Sequence, residues 1–329
     1  MGYQVRVQPS GHVFEAYSHE SLLDAGLRAG LNLDHHCASG ACGACGARLV
    51  SGQVAAIRQG DFRFPAREAR DHILLCCYRP TSAVEIETHE LASAAEIPAQ
   101  RIRAKVHRLQ RLQDEVILLQ LRTPRTENLL FLAGQAVELS LDGLKPVTLA
   151  LASCPCDGMY LRFHVHRRTG DPFRERVFAG LNKGQEMAVS GPVGDFTLAE
   201  ESPRNRLFLA WESGFAAIAS LIDHAIQLDE ARPMRLYWLS GRPDGHYLSN
   251  YCRAWQDALD DFRYHAIDLA PVGADGFASA MARVAADLGD LAGWDCYAVL
   301  PPAGLAALRV LRDAGLPDTQ LHTALQGLP

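Results

Sequence analysis

Cys37-Ala38-Ser39-Gly40-Ala41-Cys42-Gly43-Ala44-Cys45, joined later in the chain by Cys76, is the stretch on which the fold is read. Its C-x4-C-x2-C…C spacing is that of four thiolates gathered around a plant-type [2Fe–2S] cluster. The small residues between the cysteines let a short loop wrap such a group. Gly40 and Gly43 are expected at positive φ, which turns backbone N–H groups towards the sulfurs and favours the added negative charge of a reduced cluster. The alternatives are a zinc site or free buried thiols, but zinc sites more often read as two C-x2-C knuckles. Cys37, Cys42, Cys45 and Cys76 are therefore the expected metal ligands, and single-electron transfer the expected chemistry. His35 and His36 precede the loop, but with four cysteines in place a Rieske-like histidine ligand is unnecessary.

Around this loop the pattern is that of a small mixed sheet crossed by one helix. QVRVQ (4–8) and HVFEAY (12–17) alternate as a hairpin, and SLLDAGLRAG (21–30) has helical spacing with Ser21 as N-cap. ARLVSGQV (47–54) and SAVEIET (82–88) complete the strands. An Ala-rich linker with Pro98 follows. Five strand-like segments between 101 and 200 predict an antiparallel barrel: RIRAKVHRLQRL, EVILLQLRT, QAVELSL, MYLRFHVH and EMAVSGPVGDF. From 201 onward, strands such as RLFLAW, MRLYWLSGR and DCYAVL alternate with helices, which predicts a parallel sheet with crossover connections. The expected domains are 1–95, 101–200 and 201–329. Trp238 and Trp255 fit core positions.

Composition limits the function classes. The 329 residues carry a net charge of −6, with 48% hydrophobic and 21% charged residues, an ordinary globular balance. No Lys/Arg cluster suggests nucleic acid or an anionic membrane. No apolar run reaches the ~20 residues of a membrane span. The opening MGYQVRVQPSG lacks the apolar region of a signal peptide, and Arg6 stands where a myristoylation signal needs Ser or Thr. Nine cysteines, four of them assigned to the cluster, argue against a secreted disulfide framework and for a cytoplasmic location.

PSGHVFEAYSHESLLDAGLRAGL (9–31), the cysteine loop, and ILLCCYRP (73–80) with its following strand carry a family resemblance. The chain resembles the reductase components of bacterial oxygenases, in which a ferredoxin domain precedes a ferredoxin–NAD(P)H reductase module, and also the CDP-6-deoxy-glucoseen reductases. The resemblance implies an α+β, β-grasp ferredoxin domain, then a flavin-reductase-type antiparallel β-barrel, then an α/β nucleotide-binding-type domain with a parallel sheet. It makes Cys76 the fourth ligand and Cys77 an uncoordinated neighbour.

The resemblance also implies where FAD and NAD(P)H would bind, and there the residues differ. The family's Arg-x-Tyr-Ser flavin motif falls on Val147, Thr148, Leu149 and Ala150, a register set by LASCP (151–155) downstream. A second register places Lys145, Pro146, Val147 and Thr148 there. The phosphate-binding Gly-Gly-x-x-Ser turn becomes Gly170-Asp171-Pro172-Phe173-Arg174, where only Arg174 could replace a phosphate clamp. The Gly-Gly-Thr-Gly-x-Ala-Pro loop becomes Trp211-Glu212-Ser213-Gly214-Phe215-Ala216-Ala217. Trp211 is expected to fill space that glycine leaves open, and Ser213 to cap the helix. Glu212 brings a charge that would repel a phosphate by about 3 kcal/mol at ~5 Å and an effective dielectric of ~20, and would satisfy the helix end itself. The Cys-Gly-Pro-Pro element becomes Val299-Leu300-Pro301-Pro302. GPVGDF (191–196) and LYWLSGRPDGHYL (236–248) keep a structural role, with Arg242 read as a solvated loop residue.

These positions predict a one-electron carrier with a [2Fe–2S] cluster, at roughly −400 mV if it follows plant-type ferredoxins. Neither a tightly bound flavin nor a productive NAD(P)H site is expected. The expected partner is an oxygenase or another reductase, docking near Ala38 to Ala44. A working NAD(P)H-dependent FAD/[2Fe–2S] oxidoreductase and an assembly factor with a structural cluster remain open. Cys154-Pro155-Cys156 with His164 and His166 is a further metal or redox candidate, read instead as a tight turn beside strand histidines.

Overall fold

A computed structural model of the protein describes residues 2–124, 127–229, 232–242, 245–270 and 272–325. Pro243 and Asp244, within the 236–248 stretch quoted above, lie outside them.

The N-terminal unit contains β1 (Gly2–Gln8), β2 (Val13–Tyr17), α1 (Leu22–Arg28), β3 (Gly46–Ser51), β4 (Val54–Ala56), β5 (His72–Leu74), β6 (Tyr78–Pro80) and β7 (Val84–Glu87). Its main sheet runs β2-β1-β7-β3-β5, with β1 and β7 parallel and the other pairs antiparallel. Alternation sets the inner face: Val5 and Val7 are fully buried while Arg6 between them is exposed. Ser21 caps α1 as its sequence predicts, accepting from Asp24 N at 3.0 Å. Leu22, Leu23 and Ala25 of that helix fill the core under the sheet. The cysteine loop connects α1 to β3, and Cys76 lies between β5 and β6.

The barrel is built from β8 (Gln100–Gln113), β9 (Val116–Arg122), β10 (Ala136–Ser140), β11 (Val147–Ala150), β12 (Tyr160–His166) and β13 (Glu186–Val193), with α2 (Pro172–Ala179) between the last two strands. The order is β11-β10-β13-β8-β9-β12, antiparallel throughout. Ala152 N donates to Arg162 O at 2.8 Å just beyond β11 and nearly closes the ring of six. Leucines, valines and Phe163 fill the interior.

The last unit alternates β14 (Asn205–Trp211), α3 (Phe215–Gln227), β15 (Met234–Ser240), α4 (Ser249–Ala258), β16 (Phe262–Asp268), α5 (Ala274–Leu288), β17 (Trp294–Leu300), α6 (Pro302–Ala307), α7 (Arg309–Asp313) and β18 (Leu321–Leu325). All five strands are parallel in the order β16-β15-β14-β17-β18. Every residue of β17 is buried, as expected for a strand covered by helices on both faces. Trp238 and Trp255 lie in this core, as read from sequence. Strand order reverses between β14 and β17, and the crevice at their carboxyl ends is where open α/β sheets take ligands. The barrel faces that crevice.

Among the described residues no helix is long and apolar enough to cross a membrane.

Candidate functional site

The cysteine loop has little regular structure, so glycines set its path. Gly40 and Gly43 have φ of +86° and +85°, and Ala38 has +44°. A Cβ on Gly40 would lie 2.6 Å from Cys77 Sγ, and one on Gly43 2.4 Å from the Phe62 ring. Conformation and space both require glycine there. The fold turns N–H groups inward: Ala41 N and Cys42 N lie 3.3 Å from Cys37 Sγ, and Ser39 N lies at 3.4 Å. Leu75 N donates to Cys45 O at 2.9 Å, which ties the Cys76 segment to the loop.

The four thiols face each other as two pairs, Cys37 with Cys42 and Cys45 with Cys76. Partial burial opposes ionisation of Cys37, but hydrogen bonds from Ser39 and Cys42 outweigh it and bring the thiol to about 6. The Cys76 hydrogen bond lowers Cys45, and the same contact raises Cys76. Among the described residues no three cysteine, histidine or carboxylate side chains converge on one metal position. Two thiolate pairs with inward N–H groups fit a binuclear [2Fe–2S] group better than a tetrahedral zinc cage. Cys45 and Cys76 are buried while Cys42 is exposed, so one edge of the loop meets solvent.

The second candidate region is the cleft between the barrel and the α/β unit. Thr148, Leu149 and Ala150 line it, whereas Lys145 is exposed ahead of β11. Opposite stand Ser213, Gly214, Ala216, Ala217 and Val299. The volume is about 120 Å³, below the ~300–1,000 Å³ usual for small-molecule sites. Gly214 fits only because it has no Cβ, which would lie 2.8 Å from Val299 Cγ1. Arg174 reaches the cleft, but its Nε is held by Asp171 Oδ2 at 2.9 Å. Asp171 also caps α2, accepting from Arg174 N at 3.0 Å. The N-terminus of α2 is thus occupied by its own carboxylate.

At the carboxyl end of β14, Glu212 adopts φ +48°, a left-handed conformation unusual outside glycine. Its carboxylate does not cap α3, contrary to the sequence reading. Oε1 accepts from Ser240 Oγ at 3.0 Å and Gly241 N at 3.1 Å, and Oε2 from Arg242 at 2.6 Å. Three donors on one carboxylate outweigh the end of a single helix. Ser213 is not the N-cap either: it lies within a 3-10 turn, and the N-cap of α3 is Gly214, which has no side chain to cap with. Arg242 keeps the solvent access read from sequence, but it is also tied down, since the same guanidinium nitrogen meets His166 Nε2 at 3.2 Å. Trp211 packs against the Phe277 ring, 5.0 Å between centroids, and beside Gly241, so it covers the top of β14 and β15.

His164 is buried against Tyr247, with Nδ1 3.0 Å from its hydroxyl. Burial, and then the charges of Arg162 and His166, push it down to about 3, so it is a neutral imidazole. Phe215 and Trp238 stack at 3.9 Å behind it. The structure does not bring Cys154 and Cys156 together with His164 and His166. The two cysteines form a disulfide, and the imidazole nearest to them is that of His224, with Nδ1 3.9 Å from Cys154 Sγ. Sequence reasoning missed His224 and its partner Glu200. A histidine inside an apolar helix, SLIDHAI, is the one local sign of them.

Residues 5–81 match the family model of the 2Fe-2S iron-sulfur cluster binding domain. Protein RfbI of Salmonella typhimurium is 30% identical over 264 residues, covering 80% of this chain and 77% of that protein. The chain belongs to the ferredoxin reductase-like proteins with an N-terminal [2Fe–2S] domain. It is thus a ferredoxin reductase-like electron-transfer protein. Other members are similar along most of their length. The CDP-6-deoxy-L-threo-D-glycero-4-hexulose-3-dehydrase reductase of Yersinia pestis is 27% identical, covering 94% of this chain and 93% of its own. A terephthalate 1,2-dioxygenase reductase component of Comamonas sp. is 28% identical, with 84% and 83% covered. Among solved structures, an Amycolatopsis cytochrome P450 reductase aligns with a TM-score of 0.60 at 23% identity over 98% of both chains, which supports the three-part fold of the family.

Proposed function

We propose that this family member carries single electrons on a [2Fe–2S] cluster alone, receiving them from a protein donor rather than from NAD(P)H through a flavin. The observation that carries the reading is the Glu212 carboxylate. It is held by Ser240, Gly241 and Arg242 at the crevice where a dinucleotide phosphate would have to lie. A phosphate there would face an anion whose hydrogen-bond donors are already committed. The narrow cleft and the Asp171–Arg174 pair support the same reading for flavin. The residues present in the cleft do not fit FAD.

A bound [2Fe–2S] cluster supplies one-electron chemistry at low potential. Cys37, Cys42, Cys45 and Cys76 would hold it. The N–H groups of Ser39, Ala41 and Cys42 stabilise negative charge on the Cys37 side, and Gly40 and Gly43 keep the loop tight around it. Ala41 and Cys42 are exposed, so electrons enter and leave at that edge. Relatives named as reductase components of oxygenases make an oxygenase the partner class we propose. Anaerobic titration of the purified protein with dithionite tests this. Bleaching of the cluster's visible absorption by one electron per cluster, and rapid reoxidation by cytochrome c, are expected. A cluster that dithionite cannot reduce, or that passes nothing on, would point instead to a structural cluster.

A further inference from the structure

The loop from β11 to β12 carries a feature that the cluster and the cleft leave unexplained. Cys154 and Cys156 are bridged. A ring between residues so close in sequence constrains little of the unfolded chain, because the entropic benefit of a disulfide grows with the loop it closes. Stability is therefore a weak reason for it. The surroundings are specific. Cys154 is 2% exposed, whereas Cys156 is half-buried, so Cys156 is the less covered of the two. Behind the hidden sulfur lies a buried imidazole: His224 of α3, 2% exposed, places Nδ1 3.9 Å from Cys154 Sγ. Its Nε2 lies 2.8 Å from Glu200 Oε1, which also accepts from Asn32 Nδ2 at 2.8 Å. Cys156 N donates to Cys154 Sγ at 3.2 Å. The same helix fixes the turn, with Ser220 Oγ donating to Ser153 O at 2.7 Å.

We propose that the Cys154–Cys156 bridge is a thiol–disulfide exchange site. A small external thiol opens it at Cys156, while His224 and Glu200 support the charge left on Cys154. The thiolate attacks Cys156 Sγ, a mixed disulfide forms there, and the Cys154–Cys156 bond breaks with its electron pair on Cys154. The incoming thiol gives its proton to solvent before attack, and His224 Nδ1 takes up one proton as the Cys154 thiolate forms, giving an imidazolium beside that thiolate with the Glu200 carboxylate behind it. A second thiol attacks the external sulfur of the mixed disulfide and frees Cys156. In sum, two external thiols become one external disulfide, and the protein disulfide becomes two thiols. Attack falls on Cys156 because it is the less covered residue, and Cys154 leaves because its thiolate is the one with partners. Stabilising the reduced form in this way makes the bridge more easily reduced.

The segment that follows the bridge is linked to the one that precedes Cys37. Thr123 Oγ1 is 3.4 Å from both Gly158 O and Asn128 Oδ1, and Asn128 N donates to His36 O beside Cys37.

The test equilibrates the holoprotein anaerobically with mixtures of reduced and oxidised dithiothreitol, traps thiols with N-ethylmaleimide and maps the peptides by mass. Cys154 and Cys156 should convert together and reversibly in the folded protein. Their reduction should be at least tenfold more favourable in the native protein than in urea. His224→Asn should shift the equilibrium towards the disulfide at least tenfold, whereas Ser220→Ala, on the same helix and against the same turn, should shift it less than threefold. The proposal fails if the pair stays oxidised until the chain unfolds, or stays as two thiols at every ratio. It also fails if both variants act alike. Should His224→Asn not fold, the native-against-urea comparison alone decides.

Discussion

Arg242 meets Glu212 at 2.6 Å across the mouth of the parallel sheet, joining the residue after β14 to the one after the β15 turn. Glu212 is buried, and two further donors converge on it, so removing the carboxylate takes the acceptor from the Gly241 N–H and one partner each from Arg242 and Ser240. Arg242 keeps some solvent access, which holds the cost below the ~3–5 kcal/mol of a wholly buried pair. Glu212→Ala should lower stability by about 2 kcal/mol in urea unfolding. Glu212→Gly should cost about 1 kcal/mol less, because glycine takes the left-handed backbone freely. Equal losses for the two variants would mean that the positive φ contributes nothing.

The cysteine loop yields a contrast of small substitutions. Gly43→Ala sets a methyl against the Phe62 ring and Gly40→Ala one against Cys77 Sγ, both at positive φ. Each should reduce iron and sulfide per chain severalfold, while Cys77→Ala should leave both near the wild-type value. Cluster loss in Cys77→Ala, with retention in both glycine variants, would overturn the ligand set proposed above.

Asp223 gives stability a pH dependence with an unusual sign. Burial raises its carboxyl from 3.8 to about 6, against the opposing effects of Arg162 and the Tyr251 hydrogen bond. Between those values the folded chain binds the extra proton, so this contribution to stability falls as pH rises from about 4 to about 6 and stays low above that. Asp223→Asn removes the ionised group and keeps an acceptor for Tyr251. It should be more stable than wild type by on the order of 2 kcal/mol at pH 8, with the gap closing at pH 4. Urea unfolding at the two pH values measures it, and a gap independent of pH would refute the assignment.

Much of this was legible in the residues. Cysteine spacing gave the loop, Ser21 the start of α1, and period-two alternation in segments such as QVRVQ the strands of the first sheet. Parallel strands flanked by helices followed from the runs RLFLAW and DCYAVL. The side-chain network was less legible, because its partners lie far apart in sequence. Glu212 next to a helix start reads as a cap, and only the fold brings Ser240 and Arg242 round to claim it. Ser213 reads as an N-cap because α3 has no visible reason to begin with a 3-10 turn. Cys154-Pro155-Cys156 suggested a turn, but the imidazole behind it comes from a helix some seventy residues on, which no local pattern announces.

The central claim is that the cleft accepts neither flavin nor dinucleotide, leaving the iron–sulfur loop to exchange electrons with proteins. Its most direct test is anaerobic addition of NADH, and separately NADPH, to the purified holoprotein supplemented with FAD, while the visible absorption of the cluster is followed. The account predicts an unbleached spectrum and no flavin retained after gel filtration. Stoichiometric FAD on the protein, with bleaching by either nucleotide on the timescale of turnover, would contradict it.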